Sequence, residues 1–304
     1  MRVSSALAAT AAILPSALAV GKHGFAVGSV IGSTTQCKKQ SDWEADFDAI
    51  KASGSNIVRI YAAGQCDTAK NILPAAKAKD FKVVLGVWPD TPESLQNDKA
   101  ALQQYVPQYK DQVYAVTVGS ETLYRGNFTG PELLEKINEI KGVLPDGVRV
   151  GTADSWNKYA DGTADAVIQG GVDILLANAF AYWQGAPIEN ATHVYLDDMM
   201  QALGRIQSVS GSLDKIEVWN GETGWPTDGG SDYEAASAGT KNAETFYQQG
   251  FCGLLDWGVN AFYFEAFDEP WKPSTTGDNG EEKIETVWGA MDANRKPKFS
   301  LACK

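Results

Sequence analysis

Eight apolar runs of β type recur roughly every thirty residues along the chain, at 23–30, 56–61, 81–87, 113–119, 148–152, 172–178, 216–220 and 259–264. Segments with helical spacing or composition lie between them, among others 41–52, 68–79, 129–143, 195–208 and 242–257. Strands that alternate with helices of this length form βαβ units and a parallel sheet. Two architectures satisfy that pattern, an open doubly wound sheet and a closed barrel. A count of eight in a chain of 304 residues favours the α/β class with a (β/α)8 TIM barrel. An open nucleotide-binding sheet would carry a glycine-rich phosphate loop after its first strand, and Gly28-Ser29-Val30-Ile31-Gly32-Ser33 matches neither the dinucleotide nor the P-loop pattern. With no linker or low-complexity tract, the barrel is expected to be a single domain.

The ends of the chain read differently from its middle. Arg2, an apolar stretch over 6–14 and Ala17-Leu18-Ala19 have the form of a secretory signal peptide over residues 1–19, which leaves 20–304 as the mature domain. No later run is long enough to cross a bilayer, and 299–304 lacks the tail of a lipid-anchor signal. The expectation is a secreted, extracellular protein with no membrane partner. Lys and Arg number 26 against 38 Asp and Glu, a net charge of -12. That charge repels phosphate backbones, so nucleic acid is not an expected partner, whereas a neutral polysaccharide meets no such barrier. Four cysteines in an exported chain imply two disulfides with three possible connectivities, and proximity favours Cys37 with Cys66 and Cys252 with Cys303. The sequons Asn127-Phe128-Thr129 and Asn190-Ala191-Thr192 are candidate glycosylation sites on the same premise.

Counting removes several chemistries. The chain holds only two histidines, His23 and His193, with no HExxH and no Cys-x-x-Cys, so a zinc site has little to build on. No G-x-S-x-G elbow accompanies them, which disfavours a Ser-His-Asp hydrolase. His193 is expected on the surface; His23, opening the first run, suits a structural role or a substrate contact equally. No metal or cofactor is expected. Carboxylates remain. Glu121 in Val118-Gly119-Ser120-Glu121-Thr122-Leu123-Tyr124 and Glu222 in Asn220-Gly221-Glu222-Thr223-Gly224-Trp225-Pro226 each follow an apolar run. Each therefore sits at the C-terminal end of a strand, where barrel catalysis takes place. Strict alternation would put Thr117, Gly119 and Glu121 on one face, opposite Val116 and Val118. It would also align Val218, Asn220 and Glu222, with Trp219 pointing away. Such a pair suits glycoside cleavage, in which one carboxyl protonates the leaving oxygen and the other attacks or activates water. The plainer reading is two helix-start carboxylates near positive dipole ends. Asp154 and Trp156, after the fifth run, are candidate groove residues. Trp88, Tyr182, Trp183, Trp225 and Trp271 also follow strands and suit either a sugar platform or core packing, whereas Trp219 and Trp257 are expected in the core or helix layer.

The segments VGSETLYR (118–125), LANAFAYWQG (176–185), NGETGWPTDG (220–229) and FEAFDEPWKP (264–273) resemble the fungal cell-wall branch of glycoside hydrolase family 17, over essentially the whole mature chain. Members of that branch are β-1,3-glucan endoglucanases and glucanosyltransferases. The resemblance implies a (β/α)8 barrel, retention of anomeric configuration, no metal, and β-1,3-glucan of the cell wall as partner. It makes Glu121 the acid/base and Glu222 the nucleophile, with supporting roles for Tyr61, Asn178, Tyr182, Glu269, Lys272 and Glu285. Many relatives carry asparagine before the acid/base, where this chain has Ser120. Retention calls for carboxyl groups about 5 to 5.5 Å apart, so that Glu222 itself attacks. Lys272 or Arg59 would favour ionisation of whichever carboxylate each touches. The chain is expected to act as a monomer, either as a glucanase or glucanosyltransferase or, in the alternative, as a non-catalytic glucan-binding protein of the wall.

Overall fold

Each of the eight apolar runs supplies one strand: β1 (His23–Ala26), β2 (Ile57–Arg59), β3 (Lys82–Val87), β4 (Val113–Ser120), β5 (Val150–Ser155), β6 (Ile174–Asn178), β7 (Glu217–Thr223) and β8 (Asn260–Tyr263). Each strand pairs in parallel with the next, and β8 returns to β1, so the sheet is a closed eight-stranded (β/α)8 barrel. The molecule is described by a computed structural model covering residues 20–228, 232–276, 282–283 and 285–303. The segment read as a signal peptide, 1–19, lies outside the described residues.

The barrel interior is filled by Ile57, Val84, Ala115, Ala153, Ile174, Leu176, Trp219 and Phe262, a packed plug with no pore. Trp219 stacks on Phe262 at 4.9 Å between centroids. The expectation that Trp219 points away from the barrel axis is therefore wrong. Its neighbour Asn220 takes the outward position, with Nδ2 donating to the Ala177 carbonyl at 2.8 Å and lying beside Met199. The lower end of the plug is polar. Glu217 accepts from Arg149 Nη1 at 2.7 Å, from Trp219 Nε1 at 2.8 Å and from the Tyr114 hydroxyl. These bonds seal the N-terminal mouth and leave the C-terminal one open.

The helices are α1 (Gln40–Lys51), α2 (Thr68–Lys79), α3 (Pro92–Tyr105), α4 (Gly130–Lys141), α5 (Trp156–Ala160), α6 (Asp165–Gln169), α7 (Ile188–Ser210), α8 (Thr240–Phe246) and α9 (Cys252–Asp256). Helix α3 begins where Thr91 Oγ1 accepts from Ser94 N at 3.1 Å and Pro92 takes the first turn, whose amide needs no helical partner. The segment 242–257, read as one helix, is split between α8 and α9 by a π turn at Tyr247–Phe251. Helix α7 is wider than the 195–208 expected.

Among the described residues no helix follows β8. The tail takes its place, burying Trp288, Met291, Phe299 and Leu301 in the layer outside the strands. The tail is held by Tyr247 Oη donating to the Leu301 carbonyl at 3.0 Å and by the Cys252–Cys303 disulfide. The second disulfide, Cys37–Cys66, joins the loops after β1 and β2. Both pairings are those that proximity favoured. His23 lies at the closed end, edge-on to Phe25 and Phe251, with burial pushing its pKa down to about 4, so its role is structural.

Cys252–Cys303 spans 51 residues. Replacing both cysteines by alanine is expected to lower stability by about 4 kcal/mol, the entropy of the loop it closes. The check is the denaturant midpoint of the double variant against wild type, each with and without reductant.

Candidate active site

Both glutamates reach the open mouth because their strands depart from simple alternation. On β4 the register against β5 runs Thr117 with Gly151 and then Ser120 with Ala153, so β4 carries one extra residue. Gly119, at φ 86°, absorbs it, and a Cβ there would meet the Thr122 side chain at 2.8 Å. Gly119 therefore faces the α4 layer rather than sharing a face with Thr117 and Glu121, and Glu121 adopts φ 59° as the chain turns over the mouth. On β7, Ala177 pairs with Asn220 and Asn178 with Glu222, again one extra residue. Bulges re-aim side chains in this way beside active sites. The expected common face of Val218, Asn220 and Glu222 is replaced by one in which Glu222 joins Trp219 on the inner side.

Arg59, the last residue of β2, organises the mouth. Its Nη1 donates to Glu222 Oε1 at 2.9 Å, to the Gly221 carbonyl at 2.9 Å and to Asn178 Oδ1 at 3.4 Å; its Nη2 donates to Ser120 Oγ at 3.1 Å. Asn178 Nδ2 in turn donates to Glu121 Oε1 at 3.0 Å. One polar chain thus runs Glu121–Asn178–Arg59–Glu222. Gly221 has to be glycine, since a Cβ would come within 2.5 Å of Asn178 Oδ1. Tyr61 lies with its ring 5.0 Å from the guanidinium and its hydroxyl toward Glu222, though without full hydrogen-bond geometry.

Burial pushes Glu222 up to about 7; Arg59 pulls against it, while Glu121 and Glu285 push further. Lys272 serves a different group of carboxylates, at 2.6 Å from Glu265 and 3.2 Å from Glu269. Burial opposes its charge, but the surrounding carboxylates outweigh that and raise its pKa. Burial raises Glu265 and Glu285 as well, and Lys272 draws both back. Beside Tyr61 a cleft of about 250 Å³ opens, lined among others by Ser29, Gln65, Glu269, Trp271 and Lys272.

Two buried aspartates hold the loops around the mouth. Asp154 accepts from the amides of Leu123 at 2.8 Å, Ser155 at 2.9 Å and Tyr124 at 3.1 Å, and so fixes the turn that carries Glu121. Asp98 accepts from the amides of Gly64 at 2.6 Å and Trp88 at 2.7 Å, joining the loops after β2 and β3. Burial pushes each up to about 6 against the pull of those amides.

Residues 25–289 match the family model described as the BtgE/BtgC glycoside hydrolase domain. The chain belongs to that glycoside hydrolase family. A glucan 1,3-beta-glucosidase of Arthroderma benhamiae is 58% identical over 100% of this chain and 98% of its own. A protein of the same description from Saccharomyces cerevisiae is 42% identical over 100% and 99%. The fold superposes on the glycoside hydrolase family 17 beta-1,3-glucanosyltransferase of Rhizomucor miehei with a TM-score of 0.79 and 27% identity, covering 93% of this chain and 98% of that one. An active-site mutant of the same glucanosyltransferase in complex with laminaritriose matches equally well.

In this glycoside hydrolase the mouth brings together Glu121, Glu222, Tyr61, Asn178, Glu269, Lys272 and Glu285 from the expected set. Three members lie elsewhere. Asp154 is fully buried with its oxygens committed to backbone amides, so it supports the site from behind. Tyr182 is also fully buried, ringed by Trp183, Trp225 and Trp288, and offers a ligand no surface. Trp156 is half-buried against the helix layer. Arg59 sits on the nucleophile candidate and Lys272 on Glu265 and Glu269, which the sequence left open. Glu265 and Asp98 were missed; a charged residue inside an apolar run, as at Arg59 and Glu265, is the signal that marks such positions.

Removing Arg59 leaves Glu222 without its buried counter-charge. Arg59→Met is expected to destabilise by about 3–5 kcal/mol at pH 8. Because the folded Glu222 value lies above the ordinary 4.5, the cost of its charge grows as pH rises through that range and is small below it. Chemical denaturation at pH 5 and pH 8 should therefore show a much smaller loss at the lower pH.

Proposed function

We propose that this family member is a retaining glycosidase that cleaves β-1,3-glucan internally, with Glu222 as nucleophile and Glu121 as acid/base. The observation that carries this reading is the polar chain Glu121–Asn178–Arg59–Glu222 across the open mouth. It holds two carboxyl groups in fixed relation at the ends of β4 and β7, with one of them on a buried guanidinium. The family membership and the names of the relatives support the substrate.

The chemistry proceeds in two displacements. Arg59 holds Oε1 of Glu222 and favours its ionised form against the pull of burial, so the carboxylate attacks the anomeric carbon. Glu121, with its side chain 24% exposed, stands nearer the solvent side of the mouth and donates a proton to the departing glycosidic oxygen. In the second step Glu121 takes a proton from the incoming hydroxyl, whose oxygen attacks the same carbon and releases Glu222 as carboxylate. Water as acceptor gives hydrolysis; a sugar hydroxyl gives glucanosyl transfer.

The same reading includes residues 1–19 as a secretory leader, export to the fungal wall, action as a monomer, and glycans on Asn127 and Asn190, both exposed in the fold.

Glu222→Gln is expected to lower kcat on laminari-oligosaccharides about a thousandfold or more while leaving binding in place. Glu121→Ala should lose turnover on oligosaccharides yet recover with azide on an activated aryl laminaribioside, giving the β-glycosyl azide. In wild type, kcat/KM should fall on acidification through a limb at about pH 7, as Glu222 takes up its proton. Mass-resolved products decide the acceptor: chains longer than the starting oligomer mean transfer, and shorter chains alone mean hydrolysis. A protein that binds laminarin but forms neither product is a binding protein, and the reading fails.

A further inference from the structure

The cleft beside Tyr61 has two walls that come from different loops. The loop after β1 supplies Val30 and Thr34, and the loop after β2 supplies Tyr61 and Gln65. The first loop folds back on itself: Ile31 N donates to the Gln36 carbonyl at 2.9 Å, Lys38 N donates to the Ser29 carbonyl at 3.0 Å, and Val30 pairs with Cys37 across the turn. Its far end is anchored where buried Lys38 meets Asp46 of α1 at 2.9 Å. The second loop is held toward β3, by Gly64 N donating to Asp98 and by Ala63 N donating to the Gly86 carbonyl at 2.9 Å. Among the described residues no hydrogen bond or ion pair joins 29–37 to 61–67. The Cys37–Cys66 disulfide is what ties one wall to the other.

Gln65 directly precedes Cys66, and the turn that presents it is not one the chain takes up freely. Cys66 and Asp67 both lie in the left-handed region, at φ 56° and 52°. Residues with side chains stay there only where their surroundings hold them, and the crosslink at Cys66 is such a hold. The remaining wall, from the segment after β8, is fixed by packing: Glu269 fits against Gly28, where a Cβ would come within 2.1 Å of its Oε1. Trp271 lines the same cleft, and its buried Nε1 meets no acceptor among the described residues. A buried donor left open in a cleft that runs up to Tyr61 and Lys272 suits the hydroxyls of a glucosyl unit.

We propose that Cys37–Cys66 is a positioning crosslink for the glucan groove, holding Gln65 and the loop after β1 at the spacing that seats a glucosyl unit beside the one attacked by Glu222. Its contribution is to binding, since it lies outside the polar chain Glu121–Asn178–Arg59–Glu222. Cys252–Cys303, at the closed end, has no such part. With the bridge cut, the first loop keeps its own hydrogen bonds and the Lys38 anchor, but the turn at Cys66 is released. Each binding event then has to order the wall again. The inference rests on the reading of the mouth as a β-1,3-glucan site.

The test sets Cys37→Ser with Cys66→Ser beside Cys252→Ala with Cys303→Ala and wild type, each checked by far-UV spectrum for a folded barrel. On laminari-oligosaccharides, KM should rise about tenfold in the first double variant, the effect of ordering one or two loop side chains on binding, with kcat within about twofold of wild type. The second should lower the denaturant midpoint and leave KM in place. A folded first variant with unmoved KM overturns the proposal, as does an equal rise in the second. A measurement that changes no cysteine covers the case in which the first variant fails to fold. Glu222→Gln protein is equilibrated in a dithiothreitol redox buffer with and without saturating laminarihexaose, and the alkylated cysteines are identified by mass. By reciprocity the oligosaccharide should protect Cys37–Cys66 from reduction about tenfold and leave Cys252–Cys303 unprotected. Equal protection of both, or of neither, overturns the proposal. Failure of laminarihexaose to bind the intact protein overturns the glucan reading itself, and is seen before any cysteine is altered.

Discussion

The Arg59 guanidinium is the interaction on which the mouth of the barrel depends. It is buried at 1% exposure, where an uncompensated charge is not tolerated, and its terminal nitrogens are met by Glu222, Asn178, Ser120 and the Gly221 carbonyl. Satisfying that one cation draws three other strands, β4, β6 and β7, toward β2. The carboxylates are therefore positioned by the requirements of a buried charge as much as by backbone geometry. The same contact sets the chemistry, since Glu222 sits between burial, which favours its neutral form, and a guanidinium that favours its charge.

A sheet closed into a barrel fixes which residues face inward, and the strands here obey that rule with an apolar plug below the bulges. A site needs side chains aimed where alternation would not send them. Strands β4 and β7 solve this with one extra residue each near the top, after the plug has been built. Packing and function are thus separated along the same strand: below the bulge the register serves the core, above it the aim of a carboxylate. The glycines at 119 and 221 make these departures possible, the first through its backbone conformation and the second by giving Asn178 and Arg59 room.

That separation explains what could be read from the sequence. Strand count, barrel class and disulfide pairing rest on apolar runs and on distances along the chain, which residue types display directly. Glu121 and Glu222 were visible as carboxylates at strand ends. Their facing was not, because a bulge has no residue signature beyond a glycine, and alternation carried through it put Trp219 outside and Asn220 inside. Asp154 and Tyr182 follow strands as groove residues do, yet a carboxylate can turn back onto amides and a tyrosine can join an aromatic cluster. Glu265 lay unnoticed in an apolar stretch, where its acidity was itself the clue.

The two ends of the described chain meet at the same place. Gly21 N donates to the Leu255 carbonyl at 2.8 Å, and Cys303 is bonded to Cys252, so both are fastened to α9 just before it enters β8. That is the closed end of the barrel, opposite the carboxylates. A module fused at either end would emerge away from the groove, so a tether, a tag or a second domain can anchor this enzyme to a surface with its mouth facing outward.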